Sequence, residues 1–286
     1  MNGGMHMKIG FIGAGKVGFT LGRYFSMHGI DVTGYYSRTS RSAMEAAEFT
    51  GTRFYETVND LIRDSEVIFI TVSDNAIAEV WEQLKELQIR DRIICHCSGA
   101  LSSAVFSDIN NYDCYGYSIH PLFAVNSRTE SYKELSRALF TIEGNEIHRE
   151  QLADIVRACG NKVVFLNPEH KVRYHCAAVF ASNLINGIME TAVAELVQCG
   201  FEPSDALAAL APLSINNVEH LEDGSLEAAL TGPVERGDTQ TVKKHIDNIS
   251  GDSRAIYILL SKRVLQIAKR KNPERDYSKM EELLNG

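Results

Sequence analysis

The sequence predicts an α/β domain with a doubly wound, mainly parallel sheet, followed by a domain built only of helices. Two patterns indicate this arrangement. Short apolar segments alternate with helical patterns as far as residue 167, and only helical spacing remains from residue 168 onward. The chain has 286 residues, which fits two domains of roughly 100–200 residues each. We therefore place the domains at 1–167 and 168–286.

The composition excludes several classes of protein. The net charge is −8, so the chain lacks the basic surface that nucleic-acid binding requires. No apolar run approaches the roughly 20 residues that span a bilayer, and the segment from Met1 to Met7 lacks the apolar core of a signal peptide. The six cysteines are expected to be mostly free thiols in a reducing compartment. We expect a cytoplasmic protein without nucleic-acid or membrane partners.

The first predicted strand runs into a glycine-rich turn and then a helix. Residues 8–22 read KIGFIGAGKVGFTLG, and the glycines at 13, 15 and 18 have the spacing of a dinucleotide-binding Rossmann turn. The first glycine permits a tight turn, the second lets backbone N–H groups approach a pyrophosphate, and the third lets helix and strand pack closely. The predicted cofactor contacts here are Gly13, Ala14, Gly15, Lys16 and Val17. The alternative is a glycine turn with a purely structural role.

A second strand, predicted over 30–36, ends in residues that favour NADP over NAD. An NAD site usually carries Asp or Glu at this point, whereas Ser37 and Arg38 follow the strand here. An arginine offers a planar, permanently charged fork to the oxygens of a 2′-phosphate. The alternative is a solvated basic turn with Ser40 as the N-cap of the next helix.

The alternation of strands and helices continues along the first domain. Further strands are predicted near 52–55, 66–72, 92–97, 115–119, 138–143 and 162–166, with helices such as 75–87 and 147–159 between them. Ligands of a parallel sheet lie beyond the carboxyl ends of its strands. The cofactor contacts predicted at those ends are Val72, Ser73, Asp74 and Ser98. Ser73 and Asp74 are equally suited to capping the helix that follows, and both roles are compatible.

Two further features concern the chemistry at the strand ends. His120 ends a strand on the side where a nicotinamide ring is expected, and Pro121 fixes the following turn. We predict that His120 orients or protonates a substrate, with packing against the helical domain as the alternative. Alternation along a strand separates His96 from Cys95 and Cys97, so no metal site is expected there.

The helical domain begins with spacing that predicts one helix of about 30 residues over 169–202. Lys171 and His175 are four residues apart and share one face of it. A buried lysine stabilises charge on a substrate oxygen or donates a proton as hydride arrives, and His175 is suited to either task. The alternative is a surface lysine with a partly buried histidine. Later helices are predicted at 204–221, 238–249 and 252–271, followed by a charged tail.

The chain as a whole resembles the Rossmann-like NADP oxidoreductases with an all-helical C-terminal domain. More distantly it resembles the 3-hydroxyacid dehydrogenases and the pyrroline-5-carboxylate reductases. The motifs that carry the resemblance are Gly13–Gly18, Ser37-Arg38, His96–Gly99, His120-Pro121, Lys171 with His175 and Asn183, and Thr231–Asp238. The 3-hydroxyacid dehydrogenases begin their interdomain helix with a lysine and, four residues later, an asparagine. Lys171 matches that lysine, while His175 stands in the asparagine's place.

The resemblance implies a reaction class and adds one catalytic candidate. Asn183 joins Lys171, His175 and His120 on that ground alone. Arg236 and Asp238 either bind a substrate carboxylate or form a salt bridge and a helix N-cap.

These observations predict an NADP-dependent oxidoreductase. It would transfer a hydride between nicotinamide and a small carbonyl, imine or hydroxy-acid substrate bound between the domains. The alternative is a sensor or scaffold that binds NADP without turnover. Because several of the later helices are apolar on more than one face, we also expect a homodimer through about residues 175–265.

Overall fold

The computed structural model describes residues 7–222 and 224–286. The chain forms two compact units, Met1–Ser182 and Asn183–Gly286. The first unit therefore contains the sheet together with the first residues of the predicted helical domain. Residues 1–6, on which part of the signal-peptide expectation rests, lie outside the described residues.

An eight-stranded sheet forms the centre of the first unit. The strands lie in the order β3-β2-β1-β4-β5-β6-β7-β8. All neighbours are parallel except the antiparallel pair β6 and β7. The predicted doubly wound, mainly parallel sheet is confirmed. The strands are β1 Ile9–Ile12, β2 Val32–Tyr36, β3 Arg53–Phe54, β4 Val67–Ile70, β5 Ile93–His96, β6 Tyr115–Leu122, β7 Leu139–Gly144 and β8 Lys162–Phe165.

Helices cover both faces of this sheet. Phe11 and Phe69 point into one apolar core, and Ile68 and Ile94 point into a second core around Trp81. Strands β1 and β4 are buried along their whole length, as expected for parallel strands covered on both faces. The helices of this unit are α1 Lys16–Met27, α2 Ser40–Thr50, α3 Val58–Asp64, α4 Asp74–Glu86, α5 Arg149–Ala158 and α6 Lys171–Phe180.

The prediction of a single helix over 169–202 is wrong. The chain forms α6 and then a second helix, α7, at Asn183–Gln198. Between them the Ser182 amide bonds to the Val179 carbonyl at 3.3 Å, and the Ser182 hydroxyl donates to the Ala178 carbonyl at 2.7 Å. A serine hydroxyl that bonds back to the carbonyl four residues earlier bends a helix. Apolar spacing continues across the break and gives no sign of it.

The segment Pro168–Gln198 also corrects the expectation that no apolar run approaches the length of a membrane span. Among the described residues it is long and apolar enough, by length and composition only. One such segment is weak evidence of a span. The break at Ser182 interrupts it, and the side chain of Lys171 near its start is buried in the first unit.

The second unit consists of helices. Its core contains Val242, Leu265, Met280 and Leu284. The last two lie in a C-terminal helix within the predicted charged tail. The sequence does not predict this helix, because two buried apolar residues one turn apart are too short a pattern to stand out among charges. The helices are α7, α8 Pro203–Glu222, α9 Leu226–Ala229, α10 Pro233–Arg236, α11 Thr239–Asn248, α12 Gly251–Lys271 and α13 Ser278–Asn285.

Candidate functional site

The glycine-rich turn between β1 and α1 is closely packed except at one point. Gly13 has a φ of +105°, and a Cβ atom on it would lie 2.9 Å from the Thr71 carbonyl oxygen. A Cβ atom on Gly18 would lie 2.6 Å from the Gly13 carbonyl oxygen. Nothing lies closer than 3.9 Å to such an atom on Gly15. The turn therefore leaves open space at the N-terminus of α1, where backbone N–H groups attract anions.

Two basic side chains, Lys16 and Arg128, lie beside that turn, and Arg128 also pairs with Glu45 at 3.3 Å. The first turn of α1 contains no acidic residue, and Lys16, which begins the helix, is exposed. Ala14 is buried and Val17 is half-buried. From the loop after β6, Arg128 donates to the Ala14 carbonyl at 3.2 Å. Sequence reasoning missed Arg128, because 114 residues separate it from the turn.

The residues after β2 include one unpaired guanidinium group. Ser37 is half-buried and Arg38 is exposed, and within the described residues Arg38 forms no ion pair. Arg41, by contrast, pairs with Glu45 at 3.0 Å. Helix α2 begins at Ser40 with Thr39 as its N-cap, so the expectation that Ser40 is the cap is wrong.

At the ends of β4 and β5, the Ser98 hydroxyl forms its hydrogen bonds with other groups of the protein. Its hydroxyl donates to Asp74 at 2.6 Å and accepts from the amides of Ala100 and Leu101 at 3.2 and 3.0 Å. These contacts use its donor and both acceptor sites. The Ser98 side chain thus braces the loop after β5 against α4. Ser73 is the N-cap of α4, but its side chain makes no capping hydrogen bond.

Val72, the remaining predicted contact at these strand ends, lies beside the glycine-rich turn. One of its methyl carbons would be 3.0 Å from a Cβ atom on Gly13.

Lys171 is almost completely buried, with 2% of its surface exposed. Its Nζ donates to the Ser98 carbonyl at 2.9 Å and to the Ser118 hydroxyl at 2.7 Å. Burial lowers the lysine's pKa to about 8, against the opposing effect of the Glu143 carboxylate. The group is therefore cationic at neutral pH and joins α6 to the loop after β5 and to the middle of β6. The alternative of a surface lysine is wrong.

His120 lies within β6, which continues to Leu122, so the expectation that the strand ends at His120 is wrong. Pro121 is part of the strand and pairs with Phe140 of β7. The added antiparallel strand extends β6 beyond its parallel neighbours. Nδ1 of His120 is 2.7 Å from the Tyr174 hydroxyl. Burial, followed by the charge of Lys171, lowers the pKa of His120 to about 4, so the ring is neutral at pH 7.

Gly99 separates two imidazole rings. A Cβ atom on Gly99 would lie 2.8 Å from Nδ1 of His175 and 2.9 Å from Nε2 of His120. Nδ1 of His175 is buried and has no hydrogen-bond partner among the described residues. Two ring nitrogens thus face Gly99 at one point, closer than a side chain there would allow, and we call this position the Gly99 gap. Sequence reasoning gave Gly99 no role, because only the folded chain brings the two rings to it.

His96 organises the same loop. Its Nδ1 accepts from the Ser98 amide at 3.1 Å, and its Nε2 lies 3.2 Å from the Ser102 carbonyl. Burial lowers the pKa of His96 to about 4. Within residues 7–222 and 224–286, no cluster of three or more His, Cys, Asp or Glu residues is suited to hold a metal ion.

Three candidates belong to the second unit. Asn183 is the first residue of α7, and Arg236 is the last residue of α10. Asp238 caps α11 by accepting from the Thr241 amide at 3.0 Å, which is the capping role weighed for it. A catalytic role for Asn183 stays a prediction.

Two family models match the chain. The model described as NADP oxidoreductase coenzyme F420-dependent matches residues 8–98, and a domain of unknown function, DUF2520, matches residues 138–264. The expected resemblance to NADP oxidoreductases with a helical C-terminal domain of unassigned role is confirmed. No curated protein matches the chain at a significant level.

Solved structures confirm the fold over nearly the whole chain. Protein TM1727 from Thermotoga maritima is 25% identical, with a TM-score of 0.76, and the match covers 92% of this chain and 99% of that one. A candidate NADP oxidoreductase from Bacteroides fragilis is 22% identical, with a TM-score of 0.71 and coverage of 91% and 98%. Plasmodium falciparum pyrroline carboxylate reductase, solved with NADP bound, is 12% identical, with a TM-score of 0.60 and coverage of 93% and 98%.

The two neutral histidines predict a loss of stability in weak acid. His96 has a folded pKa of about 4, below the value of roughly 6.5 expected in the unfolded chain. Its contribution is fully present above pH ~6.5 and is lost as the pH falls toward 4, because only the unfolded chain then binds the proton. At pH 5 this loss is about 2 kcal/mol for His96, and His120 changes stability in the same direction.

Urea unfolding at pH 7 and pH 5, followed by the fluorescence of Trp81 in the first unit, measures this loss. His96→Asn should show a smaller difference between the two pH values than the parent chain. The exposed His245 offers the control, and His245→Asn should retain the parent's pH dependence. An unchanged pH dependence in His96→Asn would contradict the expectation.

Proposed function

We propose that the chain is an NADP-dependent oxidoreductase that transfers a hydride between nicotinamide and a small carbonyl, imine or hydroxy-acid substrate. The observation that carries the proposal is that the two candidate binding features lie at the same edge of the sheet. The open turn after β1 and the Gly99 gap after β5 both lie at the carboxyl ends of parallel strands in one sheet. Ligands of such sheets bind at that edge.

The described residues fit an NADP molecule. Backbone N–H groups at the start of α1, beside Gly15 and Lys16, are suited to hold the pyrophosphate. Ser37 and Arg38 are suited to hold a 2′-phosphate, because no carboxylate of the described residues pairs with the guanidinium group of Arg38. The match of residues 8–98 to an NADP oxidoreductase model supports the same cofactor.

The substrate end of the proposed site combines one fixed charge with two imidazole rings. Lys171 provides a buried positive charge beside the Gly99 gap, and such a charge stabilises an oxygen that becomes negative as hydride arrives. Two of its three N–H groups have protein partners. Its role in the proposal is therefore mainly electrostatic. His120 and His175 border the gap directly and handle the proton.

The second unit supports a homodimer. A groove of about 720 Å³ lies between α7, α11 and α12. Apolar surface of this kind commonly marks an interface, and we propose that a second copy of the chain covers it. We also place the protein in the cytoplasm, where its six free cysteines stay reduced. Large apolar side chains exposed on α7, α8 and α12 include Leu184, Ile188, Leu213, Ile215, Leu259 and Leu260.

Cofactor choice is expected to depend on Arg38. The parent chain should bind NADP at least about tenfold more tightly than NAD, or by ~1.4 kcal/mol. Arg38→Ala should remove that preference by weakening NADP binding alone, since NAD lacks the 2′-phosphate. Isothermal titration calorimetry measures both affinities. Arg41→Ala is the matched control, because Arg41 is already paired with Glu45, and it should change neither affinity more than threefold.

Turnover is expected to require the Gly99 gap. We expect NADPH oxidation with at least one member of a panel of oxo acids, semialdehydes and cyclic imines. Gly99→Ala should lower kcat by about 10² or more, because the added methyl group would lie 2.8 and 2.9 Å from the rings of His175 and His120 and displace them, while NADPH affinity changes less than threefold. Gly187→Ala is the control, since a Cβ atom there meets nothing within 4 Å. NADPH binding without any turnover would favour the sensor or scaffold instead.

The oligomeric state is open to a direct measurement. Light scattering at micromolar concentration should give twice the mass of one chain. Leu260→Asp places a charge in the proposed interface and should give monomers, because burying an unpaired carboxylate is strongly unfavourable. Lys279→Asp, on an exposed position of α13, should remain dimeric. A monomeric parent chain would rule out the homodimer.

A further inference from the structure

Tyr174 contacts the candidate site but has no part in the function proposed so far. It lies on α6, three residues after Lys171, and is half-buried. Its hydroxyl is 2.7 Å from Nδ1 of His120, and the two rings meet edge to face with centroids 5.6 Å apart. Burial raises the pKa of Tyr174, so the phenol keeps its proton at neutral pH.

The direction of this hydrogen bond decides the tautomer of His120. A neutral imidazole carries a proton on one nitrogen and a lone pair on the other. A protonated phenol that donates to Nδ1 leaves the ring proton on Nε2. Nε2 is the nitrogen that borders the Gly99 gap. With Tyr174 as the donor, the gap-facing atom of His120 is a hydrogen-bond donor.

We propose that Tyr174 and His120 form a proton relay that ends in the Gly99 gap, and that the site therefore reduces a carbonyl group rather than an iminium ion. The proposal rests on the function proposed above and names its substrate class. His120 is the residue that contacts the substrate oxygen. Tyr174 acts through His120 and is a positioning and relay residue.

The relay balances protons and electrons. As hydride adds to the carbonyl carbon, the π bond breaks and its electron pair moves to oxygen. That oxygen takes the proton from Nε2 of His120, and Nδ1 takes the proton of Tyr174. The carbonyl is reduced to an alcohol, the cofactor is oxidised, and the phenolate regains a proton from water. The imidazole exchanges tautomers without becoming cationic, in keeping with its low pKa.

Lys171 reduces the cost of removing the proton from Tyr174, which burial makes unfavourable. Its Nζ lies 5.7 Å from the centre of the Tyr174 ring. A positive charge at that distance in a buried site stabilises a transient phenolate. Asp74 and Glu143 carry negative charges near Lys171, and these oppose the stabilising effect of the lysine on a phenolate. Both already accept hydrogen bonds, from Ser98 and from Ser103 respectively, which reduces their effect.

The same arrangement disfavours an iminium substrate. An iminium ion arrives with its proton and its positive charge, so its reduction needs no donor in the gap. The cation would also face Lys171, and like charges in a buried site repel. A carbonyl oxygen gains negative charge during reduction and then requires a proton. Lys171 provides the positive charge, and His120 provides the proton.

Nitrogen NMR of histidine-labelled full-length protein tests the relay without a substrate. We expect His120 to carry its proton on Nε2, and Tyr174→Phe to shift it toward the other tautomer. His120→Asn identifies the resonance. The matched control is the pair formed by Tyr257 and His245. The Tyr257 hydroxyl lies 2.8 Å from Nδ1 of His245, and the centroids of the two rings are 5.6 Å apart. Tyr257→Phe should leave His120 unchanged. A proton on Nδ1 of His120 in the parent chain, or a tautomer that Tyr174→Phe does not alter, overturns the relay.

Paired probes test the substrate class. Cyclopentanone is compared with 1-pyrroline, and 2-oxopentanoate with 1-pyrroline-2-carboxylate, each with NADPH. We expect kcat/KM to favour a carbonyl over its imine partner by at least about tenfold. Tyr174→Phe should lower kcat by about 10², with KM changed less than threefold and an altered solvent deuterium isotope effect. Tyr257→Phe should keep the parent values.

The outcomes separate the two proposals. Failure to bind NADPH removes the proposed function itself. NADPH binding with faster reduction of the imines, or with no carbonyl compound reduced, leaves an NADPH-binding protein but overturns the carbonyl assignment.

Discussion

A single buried ammonium group organises the candidate site. Lys171 comes from the start of α6, yet its two hydrogen bonds reach the loop after β5 and the middle of β6, through Ser98 and Ser118. A charge with 2% of its surface exposed is unfavourable unless polar groups surround it. The loop after β5, the strand β6 and the helix α6 must therefore keep their relative positions for the charge to remain solvated by protein. Gly99, His120 and Tyr174 lie on those same three elements.

That charge also divides the chemical roles among its neighbours. At pH 7 one positive charge is already present on Lys171, and a second on His120 or His96 would be both desolvated and repelled. The two histidines consequently stay neutral and act as oriented donors and acceptors. In the proposed mechanism, electrostatic stabilisation belongs to the lysine and proton movement to the histidine. Neither residue has to do both.

The sequence predicts the parts of this structure that depend on local pattern. All eight strands and the conformation of the glycine-rich turn follow from apolar runs and glycine spacing, because a strand and its turn are specified within a few residues. The break at Ser182 escapes prediction, since the apolar spacing continues across it. Helix α13 escapes as well, because the partners of its buried residues are remote in sequence.

The same difference between local pattern and long-range contact applies to the candidate site. Lys171, His175 and His120 are chemically conspicuous, and helical spacing places the first two on one face. Their surroundings are invisible in the sequence, because 54 residues separate His120 from Tyr174 and 73 separate Lys171 from Ser98. Gly99 is the extreme case. The relevant feature of Gly99 is that it has no side chain. Its role becomes visible only when the fold brings two imidazole nitrogens within 3 Å of the position that a Cβ atom would occupy. The approach of both rings to Gly99 is thus a property of three separate elements, and the buried lysine holds those elements together.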